Sequence, residues 1–281
     1  MTELTPESAG EILAGLGETL DTCRRLLRAG PREVSLKPSL REARETVTDL
    51  DIEVERRLIA RIHELQPAAS VVSEETAPGA EAMDDDVCVV VDPIDGTDLL
   101  LAGEPGFAVS VAILARRRLV AGLLDFPARD QRFTCTRGGG TWWNGQRITL
   151  TAPRRLSEAR VCVSSTQRAE AALRHLWENL EVAAVVPTPG FTAKIGTILT
   201  GECDAALSLP VDPRSTAIWD YAASALLLSE AGGALTTWSG TCLGDALPAR
   251  YGDGWIAAAP DLAAALRAAV DARLPASGCE R

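Results

Sequence analysis

Lysine is nearly missing from this 281-residue chain: of its 28 basic residues only Lys37 and Lys194 are lysines, and the rest are arginines. A bias this strong fits coding composition, and it singles out the two lysines that survive. Histidine is as scarce, with His63 and His175 alone, both on helical stretches and neither beside a Ser or Cys motif; a hydrolase triad is not indicated. No basic block offsets the 39 acidic residues, and the net charge is −11. That excludes a nucleic-acid polyanion or an anionic membrane surface as the main partner. Long apolar runs are absent as well: a stretch such as Phe107–Leu114 is far too short to span a bilayer. The opening Met-Thr-Glu-Leu-Thr-Pro-Glu has neither the basic nor the apolar segment of a signal peptide. Seven cysteines, at 23, 88, 135, 162, 203, 242 and 279, are odd in number and never spaced Cys-x-x-Cys, against both a disulfide framework and a thiolate zinc site. What is there is ordinary globular composition, 46% hydrophobic and 24% charged. The expectation is a reduced, cytoplasmic, acidic protein.

The organisation changes along the chain. Thr5 and Pro6 can open a helix whose Ile12, Leu13, Leu16, Leu20, Cys23 and Leu27 share a face, stopped by Gly30-Pro31. A second amphipathic stretch follows Asp51, with Ile52, Leu58, Ile59, Ile62 and Leu65 at helical spacing. Short β-branched runs come next, at 71–72, 87–91, 107–114, 119–126 and 132–136, and Asn144-Gly145 is a hairpin signal. The first half thus reads as two helices and a mostly antiparallel sheet. From Val161 strands and helices alternate, closing with a helix near Pro260, which is an α/β pattern. The boundary falls at 151–155, dividing the chain into 1–150, an α+β half, and 151–281, an α/β half.

The residues that carry chemistry are carboxylates. Val89-Val-Val-Asp-Pro-Ile-Asp-Gly-Thr97 delivers Asp92 at the end of an apolar strand, with Asp95 three residues on and the Ile94 carbonyl between. Two carboxylates and a carbonyl aimed at one point are hard oxygen ligands, suited to magnesium or manganese rather than zinc. Gly96 and Thr97 follow where a turn or helix begins, so their N–H groups can face an anion. Asp-Pro and Asp-Gly also make turns, the alternative for either dipeptide alone. Upstream, Val71-Val-Ser-Glu-Glu75 ends in Glu74 and Glu75, which alone read as a solvated face. Asp51 and Asp220 each stand at a helix start, where a capping role is the default.

Together these stretches resemble the inositol monophosphatase-like family of magnesium-dependent, lithium-sensitive phosphatases. The match lies in Val-Thr-x-x-Asp (47–51), Glu-Glu (74–75), Asp-Pro-Ile-Asp-Gly-Thr (92–97), Trp-Asp-x-Ala-Ala (219–223) and Glu-Ala-Gly-Gly (230–233), in the family's order. The Gly138–Gly145 stretch is similar too, and the resemblance runs from about residue 10 to 270. It implies an α-β-α-β-α sandwich of the sugar phosphatase type, a homodimer, and an enzyme that hydrolyses a small-molecule phosphate monoester with two or three Mg2+ ions, Mn2+ being the alternative. It places Glu74, Asp92 and the Ile94 carbonyl around a first metal, and Asp92, Asp95 and Asp220 around a second. Thr97 and Asp51 form the pair that polarises the attacking water, with Glu74 counted beside them, and Asp95, Gly96 and Thr97 meet the substrate. A phosphate dianion attacked by a weak nucleophile calls for charge neutralisation and in-line placement, which this carboxylate set can supply.

The substrate side departs from the family's pattern. Lys194 lies where the bisphosphate nucleotidase branch has a lysine; the alternative is a surface lysine. The 207–218 segment is longer and altered, and its Asp212 and Arg214 are the candidates for substrate contacts. Inositol, polyol or sugar monophosphates are favoured over a 3′(2′),5′-bisphosphate nucleotide or a phosphorylated intermediate of a specialised pathway. A non-catalytic binding protein that kept the fold is the reading from another class. Gly138-Gly-Gly140 lacks the Lys-Ser/Thr of a P-loop and reads as a hairpin loop. Trp142-Trp143 reads as core or interface.

Overall fold

A computed structural model describes residues 4–274 except 38–44, 77–79, 152, 154 and 211–215. Its main element is a seven-stranded sheet whose strands follow chain order: Ser70–Ser73, Val87–Asp95, Ala108–Ala115, Arg118–Phe126, Gln131–Thr136, Gly140–Trp143 and Gln146–Ile148. The first pair is parallel and the rest antiparallel. All nine residues of Val87–Asp95 are buried, because both faces of the sheet are covered. Alternation sends Val87, Val89 and Val91 to one face and Cys88 and Val90 to the other. That is why this run is apolar throughout rather than alternating.

Helices Pro6–Gly15, Gly17–Ala29 and Asp49–Leu65 cover the first face, with Leu13, Leu16, Leu20, Leu27, Val54, Leu58 and Ile62 in one core with the odd valines. Phe191–Leu199 and Ile218–Glu230 cover the second face. These two helices in turn lie on a five-stranded sheet ordered Ala184–Pro187, Arg160–Val163, Ala205–Ser208, Trp255–Ala258 and Ala234–Thr237. The far side of that sheet holds Leu173, Leu176, Trp177, Leu262 and Leu266 from Arg174–Asn179, its preceding turn and Pro260–Asp271. The layers are therefore α-β-α-β-α, as expected. Helix Ile218–Glu230 is buried almost all round, as a middle layer requires. No described helix is long and apolar enough to cross a membrane.

Several local expectations are corrected. The first helix is two: Arg61 takes the Gly15 carbonyl at 3.0 Å, and the chain restarts at Gly17. A Cβ on Gly15 would meet Leu65 Cδ2 at 2.8 Å, so glycine permits that crossing. Ile52 is 50% exposed, and the buried stripe of its helix is Leu50, Val54, Leu58 and Ile62. A hairpin of Val34–Lys37 with Glu45–Thr48 precedes that helix and has no strong sequence signal. Among the helices that alternate with strands after Val161, the 170–180 stretch is α-helical only over Arg174–Asn179, after a short 3₁₀ turn. Asn144-Gly145 does turn as its type requires, with φ of 47° and 80°.

The first helix layer is also tied electrostatically. Arg24 forks onto buried Asp125 with Nε and Nη2 at 2.8 and 2.7 Å, and Arg132 Nε reaches the same carboxylate at 2.6 Å. Arg24→Ala leaves that buried carboxylate with Arg132 alone and is expected to cost about 3 kcal/mol. Urea unfolding would show the loss as a lower midpoint at unchanged slope. A midpoint equal to the parent's would mean the apolar faces alone seat the helix.

Candidate active site

By simple alternation Asp92 and Asp95, three residues apart, would point to opposite faces of their strand. The register prevents this. Asp92 faces Ser110 and Asp95 faces Ala108, so the Pro93-Ile94 segment carries one extra residue, a bulge. A bulge re-aims the side chains beyond it, and Pro93 has no N–H to offer the ladder there. The Ile94 N–H turns back to Asp92 Oδ1 at 3.0 Å. Asp92 and Asp95 are then brought to Asp220, each offering an oxygen, with all three atoms within 4.8 Å of one another. The three residues are 1%, 8% and 3% exposed.

Each is held by its surroundings. Asp220 is the third residue of Ile218–Glu230, and its Oδ2 accepts the Ala217 N–H at 2.7 Å. Asp95 Oδ2 accepts the Thr192 N–H at 2.8 Å and the Thr192 hydroxyl, both from the start of Phe191–Leu199. Ser110 Oγ donates to the Trp219 carbonyl at 3.2 Å, tying the strand beside Asp92 to the start of the Asp220 helix. Negative side chains in a first helical turn also suit the helix dipole.

Asp51 stands beside this group but is no N-cap. Thr48 is the cap, and Asp51, at the third helical position, accepts the Thr48 N–H and hydroxyl at Oδ2, each at 2.7 Å. Its Oδ1 accepts from Thr97 Oγ1 at 3.1 Å. Burial raises the Asp51 pKa, with the Thr48 and Thr97 hydrogen bonds opposing. Gly96 has φ +92°, a conformation glycine alone adopts without strain, and it opens the turn Thr97–Ala102.

Glu74 is not in the three-carboxylate group. Lys37 Nζ bridges Glu74 Oε1 at 3.1 Å and Glu75 Oε1 at 2.5 Å. Burial works to lower the Lys37 pKa, but the two glutamates outweigh it and the net shift is upward. Burial pushes the Glu75 carboxyl up to about 7, with Lys37 opposing.

On the substrate side, Lys194 is buried, with 5% of its surface exposed. Its Nζ donates to the Thr188 and Gly190 carbonyls and lies 5.7 Å from the Trp255 ring. Helix Phe191–Leu199 is buried between two sheets, so its lysine folds back onto the preceding loop. Asp212 and Arg214 lie outside the described residues. The glycine turn donates its Gly138 and Gly140 N–H groups to Glu230 at 2.9 and 3.0 Å, a structural role. His63 and His175 are exposed. Trp143 stacks on Phe133 at 5.8 Å while Trp142 is exposed. The six described cysteines are free thiols. Sequence reasoning missed Lys37, Glu55, Ser110 and Thr192 as parts of the site's surroundings, and only the rarity of lysine pointed at Lys37.

Buried carboxylates with oxygen donors only, beside a Thr–Asp hydroxyl pair and set in five layers, define a metal-dependent hydrolase of phosphoric monoesters. The chain belongs to the inositol monophosphatase family, whose model matches residues 11–274. It is 29% identical over 250 residues to the inositol-1-monophosphatase of Rhizobium meliloti, covering 86% of this chain and 88% of that protein. It is 28% identical over 211 residues to the Nus factor SuhB of Escherichia coli K12, covering 73% and 77%. Among solved structures, the extragenic suppressor protein suhB of Bartonella henselae superposes with a TM-score of 0.75 at 25% identity, over 92% of this chain and 98% of that one.

The Glu75 shift has a consequence for stability. Its folded pKa lies above the unfolded value of 4.5, so between about 4.5 and about 7 the folded chain holds a proton that the unfolded chain has released. Stability from this group is therefore present below the unfolded pKa and lost as pH rises through about 7. With a chelator present, the parent's unfolding free energy should fall across that window relative to Glu75→Gln. Parallel curves for the two proteins would show that Glu75 ionises normally.

Proposed function

We propose that the chain hydrolyses the phosphate ester of a small polyol or sugar, of the inositol monophosphate kind, with magnesium. The observation that carries this is the convergence of Asp92, Asp95 and Asp220 within 4.8 Å, beside Thr97 hydrogen-bonded to Asp51. The donor set fits the ion: hard, buried oxygens, with manganese the alternative. Glu74, Asp92, the Ile94 carbonyl, Asp95 and Asp220 are the residues that would hold two or three ions. When bound, the ions supply charge against the phosphate dianion and make a water acidic enough to attack.

The chain's own residues do the rest. The Thr97 hydroxyl donates to Asp51, which leaves its lone pairs to accept a proton from the attacking water. Asp51 is the final acceptor, and burial makes it a stronger base than an exposed aspartate. The Gly96 and Thr97 N–H groups donate to phosphate oxygens. The position of Lys194 speaks against a bisphosphate nucleotide. A second phosphate needs a cation free to meet it, and this one is buried against two carbonyls. The family also leads us to infer a cytoplasmic homodimer inhibited by lithium.

Purified protein given a panel of polyol, sugar and nucleotide phosphates should release phosphate only with magnesium, and inositol 1-phosphate should exceed adenosine 3′,5′-bisphosphate in kcat/KM. Asp92→Asn should abolish turnover and weaken magnesium binding. Thr97→Ala should spare metal affinity and lower kcat by on the order of 10²-fold, as loss of a proton relay does. Silence across the panel from folded, metal-loaded protein would favour a binding protein instead. Asp92→Asn binding magnesium like the parent would refute Asp92 as one of the residues that would hold the metal.

A further inference from the structure

We propose that Glu55 is a positioning residue that fixes Glu74 for the metal; this rests on Glu74 being a metal ligand. Glu55 is 2% exposed and plays no part in the proton path. Its carboxylate accepts three hydrogen bonds, all from the turn that carries Glu74. Ser73 Oγ and the Glu75 N–H, the latter at 3.1 Å, meet Oε2, and Thr76 Oγ1 meets Oε1 at 2.5 Å. The residue before Glu74 and the two after it are thus clamped to one buried anion. On the other side the Glu74 N–H donates to the Val91 carbonyl at 3.3 Å, in the strand that leads to Asp92. Glu74 is therefore referenced to the Asp92 strand by its own backbone and to helix Asp49–Leu65 by its neighbours.

The helix gives the clamp its meaning. Asp51 and Glu55 are four residues apart, one turn along the same face. Asp51 holds Thr97 and Glu55 holds the Glu74 turn. One rigid element thereby sets the distance between the hydroxyl that meets water and the carboxylate assigned to the first ion. The carboxylate form is needed, because all three partners donate. In glutamine one oxygen becomes an NH₂ group that faces a donor, and the turn loses a partner at constant volume.

The test is calorimetric titration of MgCl₂ into the full chain and into Glu55→Gln, without substrate. Loss of a group that orients a ligand lowers metal affinity by roughly 10- to 100-fold, and that fall is expected here. Hydrogen exchange should also quicken at the amides of residues 74–76. A role in stability alone would lower the melting temperature and leave magnesium affinity unchanged, which would overturn the proposal. Should Glu55→Gln fail to fold, the pair Ser73→Ala with Thr76→Val removes two donors without touching the helix. It should weaken magnesium in the same direction, and parent-like affinity would again refute the clamp. A parent that binds magnesium but releases no phosphate defeats the proposed function and leaves this inference standing. A parent that binds no magnesium defeats both.

Discussion

Bringing buried carboxylates within 4.8 Å of one another is the constraint on which the rest of this structure depends. Like charges out of water repel strongly, and each carries its own desolvation cost. The fold offsets that cost the same way each time, by giving each carboxylate one main-chain N–H. Asp92 has that of Ile94, Asp95 that of Thr192 and Asp220 that of Ala217, and Asp51 beside the group has that of Thr48. Backbone donors are rigid and cannot be lost to a rotamer change, so they also fix where the carboxylates point. Two of the four sit at the third position of a helix, where the dipole adds to the effect.

This explains why capping and a role in the site could not be separated from the sequence. Asp51 and Asp220 each accept the N–H of the residue three before, which is capping, and each also faces the site. The two roles use different oxygens of one carboxylate in Asp51, where Oδ2 meets Thr48 and Oδ1 meets Thr97. The Asp92–Thr97 run was legible because its chemistry is local: strand, bulge and turn all lie within six residues. Its geometry was less so, since parity alone puts Asp92 and Asp95 on opposite faces and only the register with Ser110 and Ala108 reverses that.

What stayed illegible depends on packing between distant elements. Thr192 reaches Asp95 across 97 residues and Ser110 reaches Trp219 across 109, and neither has a spacing that announces the contact. Glu55 reads as one more polar residue in an amphipathic helix until the turn at 73–76 folds over it. Lys194 shows the same dependence: its place in the chain resembles that of a nucleotidase lysine, while the carbonyls its Nζ donates to follow from a helix enclosed by two sheets. Ile52 matched helical spacing and is still exposed, because the apolar stripe runs through Leu50 and Val54 instead. The succession of strands and helices was visible because it needs only periods, 2 in the strands and 3.6 in the helices, whereas their stacking into five layers was implied by the family resemblance.

Assembly of the site is bound to assembly of the whole. Asp92 belongs to the large sheet, Asp220 and the Thr192 that holds Asp95 belong to the middle helices, and Asp51 belongs to the outer helix layer. No single layer brings even three of these groups together. The middle helices reach the site only by docking on the large sheet, through the core that contains Val90, Ala112, Ile195 and Tyr221. Without counter-charge the carboxylates oppose that docking, and a cation among them favours it. Metal binding in such an arrangement is therefore coupled to folding, and the apolar core must be large enough to hold the carboxylates together before the metal arrives. The two helix-covered faces of the seven-stranded sheet supply that excess.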